Sequence, residues 1–155
     1  MDQYISACEP RKVIENHIFP TGKITVSLLA AQGFYTAEPI WATLDVPSFD
    51  NSAMDGYGFL FEDLTHFTKL KVTQVIPAGI SGKNPVLGRG EAVRIFTGAK
   101  IPEGVDTVVM QEKVVRNGDC IHFNFDEVKK GENIRLKASQ TRAGTVITER
   151  NTFIN

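Results

Sequence analysis

The sequence lacks any imbalance of charge: 17 Lys and Arg stand against 18 Asp and Glu, a formal net charge of -1, and neither sign gathers into a run. Bulk attraction to nucleic acid, which needs a basic face or arm, is thereby disfavoured. Long apolar runs are missing too, none approaching the roughly 20 residues that cross a bilayer. The first 20 residues have neither the basic start nor the apolar middle of a secretory signal, so the expected address is the cytoplasm, with no membrane partner. Cysteine is scarce, and Cys8 and Cys120 lie far apart with no Cys or His beside them at metal-ligand spacing. A reduced, structural pair is expected, and no metal ligands are assigned. His17, His66 and His122 fall in unrelated segments and offer no catalytic constellation. No GxxxxGK[ST] or GxGxxG loop occurs, which leaves a generic nucleotide-binding enzyme without support. What is present is 42% hydrophobic residues in a 155-residue chain, enough to build a packed core in one domain or two small ones.

From residue 6 to 18 the apolar Ala7, Val13, Ile14 and Ile18 recur at roughly helical intervals, with Ser6 and Glu9 spaced as a capping box and Pro10 blurring the start. Pro20-Thr21-Gly22 reads as a turn, residues 27–32 (SLLAAQ) as a second helical piece closed by Gly33, and residues 34–41 as extended. Beyond Trp41 short apolar runs separated by Pro, Gly, Asn and Asp predict a β-rich unit. Strands are expected over residues 69–76, ended by Pro77-Ala78-Gly79, and over 91–97 and 106–112. Asn117-Gly118 is read as the tight turn of a hairpin joining Val114-Val115 to the alternating Ile121, Phe123 and Phe125. A last apolar pair, Val146-Ile147, follows the Ala143-Gly144 turn. The order of textures suggests a small β domain inserted into a layer built from both chain ends.

Chemistry concentrates in residues 50–58, DNSAMDGYG, where two Asp, one Asn, one Ser and two Gly sit between Phe49 and Phe59. Gly56 and Gly58 let a ligand approach the main chain, while Asp50, Asn51 and Ser52 can bond nearby amides. Asp55 is then the spare carboxylate, fit to ligate magnesium or to accept paired hydrogen bonds from a flat N–H edge such as a pterin ring. A self-capping turn without a ligand accounts for the same residue types. At Thr97-Gly98 a hydroxyl and free amides at a strand end can hold an oxyanion, or the turn merely ends the strand. Arg94 is read as a solvated or ion-paired side chain and stays outside the site. Trp41, Phe49, Tyr57 and Phe59 are read as core or interface, Tyr57 having the alternative of covering a ligand.

Residues 45–58, DVPSFDNSAMDGYG, resemble the signature of the molybdopterin molybdenumtransferases, the MoeA and gephyrin E-domain family. Residues 94–112, RIFTGAKIPEGVDTVVMQE, are similar to the family's second signature, and residues 131–135, GENIR, fall where its chain returns to the first domain. The resemblance implies an α+β, β-rich fold. A small β domain, residues 46–130, would be inserted into an elongated α/β dimerisation domain made of residues 1–45 and 131–155. The family's pterin-binding and C-terminal domains would lie beyond the chain. The implied activity is insertion of molybdate into adenylylated molybdopterin with Mg2+, none of these ligands being evident from the chain itself. Asp55 and Thr97 carry over as catalytic positions, and Asp55, Ser52, Gly56, Thr97 and Gly98 as cofactor-binding ones. The implied partners are a second copy in a homodimer and a separate pterin-binding domain or molybdopterin adenylyltransferase.

One step departs from the family pattern. After GENIR a Gly-Glu-Asp step is usual, and here Ala138-Ser139-Gln140 stands in its place. Neutral side chains cannot ligate a divalent cation as carboxylates do. Two functions follow: the front half of a molybdenumtransferase, or a stand-alone, non-catalytic binding and assembly module derived from that family.

Overall fold

The computed structural model describes residues 9–19, 21–79 and 86–155. Helix α1 (Glu9–His17) forms where helical periodicity was read, and Arg11 supports it by pairing with Glu15 one turn on, at 2.8 Å. Ser6 and the rest of the expected capping box lie outside the described residues. The second helix expected over 27–32 reduces to one 3-10 turn, Leu28–Ala30. Leu28 and Leu29 are 88% and 95% exposed, so no packing offsets the cost of nucleating a longer helix. Gly33 follows with φ of 86°, and its N–H donates to Ile154 O at 2.8 Å. The two chain ends are joined further by Thr36, whose Oγ1 donates to Glu149 O at 2.6 Å, and by Tyr35 against Phe153 with ring centroids 5.2 Å apart.

Among the described residues ten short strands follow α1. β1 (Ile40–Trp41) pairs with β10 (Val146–Thr148), and β2 (Asn51–Ser52) with β9 (Ile134–Arg135). The remaining six are β3 (Gly56–Phe59), β4 (Leu70–Ile76), β5 (Glu91–Ile95), β6 (Thr107–Met110), β7 (Val115–Asn117) and β8 (Cys120–His122). They make one sheet in the order β6-β3-β5-β4-β8-β7, antiparallel except for β4 beside β5. The α+β, β-rich class is the class found. The chain divides into two compact units, Met1–Ile40 with Thr148–Asn155 and Trp41–Ile147. Residues 131–147 fall in the second because β9 pairs with β2 and Thr141 bridges Val46.

Strands β3, β5 and β6 are buried over most of their length, and β3 takes most of its residues from the segment 50–58, for which no strand was expected. Tyr57, Phe59, Leu70, Ala92, Val109 and Ile121 fill one side. Ile76, Val93, Ile95, Ala99, Val105 and Val108 fill the other. Gly56 lies where β6 comes too close for any side chain: a Cβ there would sit 2.0 Å from Val109 O.

Local departures have local causes. In β4 the register shifts between Val72 and Gln74, a bulge that leaves both Gln74 and Val75 exposed. The run expected as strand to residue 112 ends at Met110, and Gln111–Lys113 forms a 3-10 turn. The hairpin turn lies one residue later than read: Asn117 pairs with Cys120, and Gly118 and Asp119 make the loop. Gly118 has positive φ, 60°, the requirement of a loop with Gly in first place. Phe123 leaves the strand pattern to pack against Phe59, centroids 5.4 Å apart.

Candidate functional site

Residues 50–58 run between two other segments and are stitched to both. On one side Ser52 N–H donates to Ala99 O at 3.0 Å, Gly98 N–H donates to Ser52 O at 2.8 Å, and Asn51 bridges Lys100. On the other, Asn51 pairs with Arg135 and Ser52 with Ile134, and Ala53 N–H donates to Asn133 O at 2.8 Å. Asp50 Oδ1 accepts from Lys137 N–H at 2.6 Å, tying the loop to the segment that leads into residues 138–140. The three segments singled out in the sequence thus meet at one place in the central unit.

Asp55 follows this junction along the chain, half-exposed, immediately before β3. Thr97 donates both its N–H, at 2.8 Å, and its Oγ–H, at 2.7 Å, to Asp55 Oδ1. Among the described residues no hydrogen bond to Asp55 Oδ2 is found beside the two to Oδ1. The Thr97 amide holds the Asp55 carboxyl below the usual carboxylate range, aided by the Thr97 hydroxyl and the charge of Arg94. It is therefore an anion at neutral pH, an acceptor and not an acid.

The remaining expected residues have structural duties. Ser52 is wholly buried, its hydroxyl donating to Met54 O at 2.6 Å. Gly56 begins β3 and is closed in by β6. Gly98, with φ of 81°, makes a turn open only to glycine without strain. The amides expected to be free for an oxyanion are engaged within the chain, Thr97 N–H by Asp55 and Gly98 N–H by Ser52. Tyr57 and Phe59 are core, while Trp41 and Phe49 are exposed.

Two features were missed in the sequence. Arg94 is partly buried, donates to Gly56 O at 2.7 Å, and lies over the rings of Phe96 and Tyr57. The signal available was Phe96 two positions on, the same-face spacing of a strand. The second is an open pocket of about 350 Å³ lined by Pro47, Ser48, Asn51, Gly98, Arg135 and Gln140 among others. Its one charged lining residue is Arg135, so it favours an anion over a cation. The donors present do not suit magnesium. Among the described residues no three His, Cys, Asp or Glu gather around a point. Asp55 Oδ1 is taken by Thr97, and Ser139 and Gln140 are neutral.

The sequence model for the MoeA N-terminal region (domain I and II) matches residues 5–155. The chain belongs to the MoeA family. A molybdopterin molybdenumtransferase of a Nostoc species is 45% identical over 135 residues, which cover 84% of this chain and 30% of that protein. One from Haemophilus influenzae is 40% identical over 139 residues, covering 89% and 34%. A crystal structure of a molybdopterin biosynthesis MoeA protein from Pyrococcus horikoshii superposes with a TM-score of 0.75 at 34% identity, covering 84% of this chain and 35% of that one. The chain thus spans about a third of the length of the MoeA relatives it matches.

Proposed function

We propose that this chain supplies the front half of a molybdopterin molybdenumtransferase site. Joined to a pterin-binding domain, it inserts molybdate into adenylylated molybdopterin in molybdenum cofactor biosynthesis. The carrying observation is the Asp55 carboxylate, anchored on one oxygen by Thr97 where the three family-like segments meet. A carboxylate held in this way is fixed before the ligand arrives and can accept from a pterin edge or orient a leaving group. The pocket lined by Asn51, Gly98, Arg135 and Gln140 suits an oxyanion such as molybdate. A divalent cation used in the reaction would need ligands beyond those gathered here, since the described residues bring no three carboxylate, His or Cys side chains together.

The proposed arrangement keeps residues 46–130 as the inserted β domain and residues 1–45 with 131–155 as the dimerising one. Support for a homodimer comes from exposed Val13, Ile14, Leu28 and Leu29 and from an open, largely apolar concavity of about 1200 Å³ in the unit built from the chain ends. The partner in catalysis is a pterin-binding domain, and a molybdopterin adenylyltransferase would deliver the substrate. A second reading, a non-catalytic assembly module, is favoured by Ala138-Ser139-Gln140, where Ala138 takes φ of 60° in a step without carboxylates.

The test joins this chain to the remaining domains of a related enzyme and follows adenylate release and molybdenum incorporation. The joined protein is expected to turn over, and Asp55→Asn to lower the rate by at least ~10-fold, the scale of one lost preorganised contact. Turnover unchanged by the substitution would make Asp55 a turn residue only, and no turnover in any form would favour the assembly module.

A further inference from the structure

Neither Asp55 nor Thr97 is held by the core, since Asp55 precedes β3 and Thr97 follows β5 on the exposed side. Their mutual geometry needs a clamp, and Arg94 has the contacts of one. Its Nη1 donates to Gly56 O at 2.7 Å and to Ile95 O at 3.0 Å, and its Nη2 donates to Gln111 Oε1. Gln111 in turn donates its N–H to Asp55 O at 3.1 Å. The carbonyls of Asp55 and Gly56 are thus both fixed, one through Gln111 and one directly. The Ile95 carbonyl, two residues before Thr97, is fixed by the same guanidinium. That group itself lies over Phe96, its Cζ 4.4 Å from the ring centroid, and near Tyr57, its partner across the strands, at 5.3 Å.

We infer that Arg94 is a positioning residue that sets the Asp55–Thr97 pair through the planar fork of its guanidinium, an inference that rests on the site proposed above. Three acceptors in different directions suit a flat group with five donors, whereas an ammonium is a point charge on a flexible stem. Arg94 is also the charge that acts on Asp55, so shape and charge must be separated.

Arg94→Lys separates them, because it keeps the charge and loses the fork. The measurements, made on this chain, are the Asp55 carboxyl titration by carbon NMR, hydrogen exchange at the Thr97 amide, and overall unfolding in urea. With Arg94→Lys the Asp55 midpoint is expected to rise toward the ordinary carboxylate range and Thr97 exchange to quicken about 10-fold, the worth of one hydrogen bond. Gln111→Ala, which leaves Arg94 intact, is expected to move Thr97 exchange in the same direction by less. A unit that merely braces β3 and β5 would lower the unfolding midpoint and leave both readouts at Asp55 and Thr97 where they were. A group acting by charge alone would shift the titration in Arg94→Met and not in Arg94→Lys. Either outcome overturns the inference, and should Arg94→Met fail to fold, the Lys and Gln111 variants decide it. These readouts concern the chain by itself and succeed or fail whether or not molybdenum is ever inserted.

Discussion

At the scale of single residues, Asp55 and Ala138 carry the most. The Asp55 carboxyl is stabilised as the anion in the folded chain, so its contribution is complete above the ordinary carboxylate pKa near ~4 and is lost as pH falls through its lower folded value. Asp45 behaves alike: the Ala143 N–H, at 2.8 Å, lowers its pKa first and Lys137 second. The Thr97 and Ala143 amide resonances should therefore stay constant from neutral pH down to about 4 and move only below it. Movement of either near pH 6 would contradict the anchoring. Ala138 sits at φ of 60°, a conformation costly for any residue with a Cβ. Ala138→Gly should raise stability by about 1 kcal/mol, read as a higher urea midpoint at unchanged m-value. The resemblance places Ala138 where a Gly is expected, and the backbone shows what an Ala costs there.

At the scale of elements, the close approach of β3 and β6 at Gly56 is the most demanding contact in the sheet. Gly56→Ala would drive a methyl into the Val109 carbonyl and should cost more than ~3 kcal/mol, enough to leave a marginal domain unfolded. Gly118→Ala, with open space but positive φ, should cost only about 1 kcal/mol. Equal losses in circular-dichroism melts would mean that β6 yields to the methyl and that close approach does not decide Gly56. Strands were legible where apolar residues and turn residues alternated, as in β4, β5 and the β7–β8 hairpin. The 3-10 turn at Leu28–Ala30 was not, because a helical pattern predicts a helix only if something packs on it, and here nothing among the described residues does. Of the site, Asp55 and Thr97 were legible through the signatures that contain them. Arg94 was not, since an arginine on a strand reads as solvent-facing until the aromatic rings and carbonyls around it are known.

At the scale of the whole molecule, a chain that spans about a third of its relatives combines the Asp55 carboxylate anchored by Thr97, a pocket with Arg135 in its lining and many exposed apolar side chains. Such a part should associate with itself, and sedimentation equilibrium at micromolar concentration should give a dimer mass; a clean monomer would remove the dimer from the proposal. Under the proposed function it should not insert molybdenum alone, because that reading divides the positioning of adenylate, metal and dithiolene between this chain and a pterin-binding domain. The most direct measurement compares three samples supplied with molybdate, magnesium and adenylylated molybdopterin: the isolated chain, the chain joined to the pterin-binding domain of a related enzyme, and the joined Asp55→Asn form. The account predicts no molybdenum incorporation above a no-protein control in the first, clear incorporation in the second, and a loss of at least ~10-fold in the third. Incorporation by the isolated chain, or equal rates in the second and third, would contradict it.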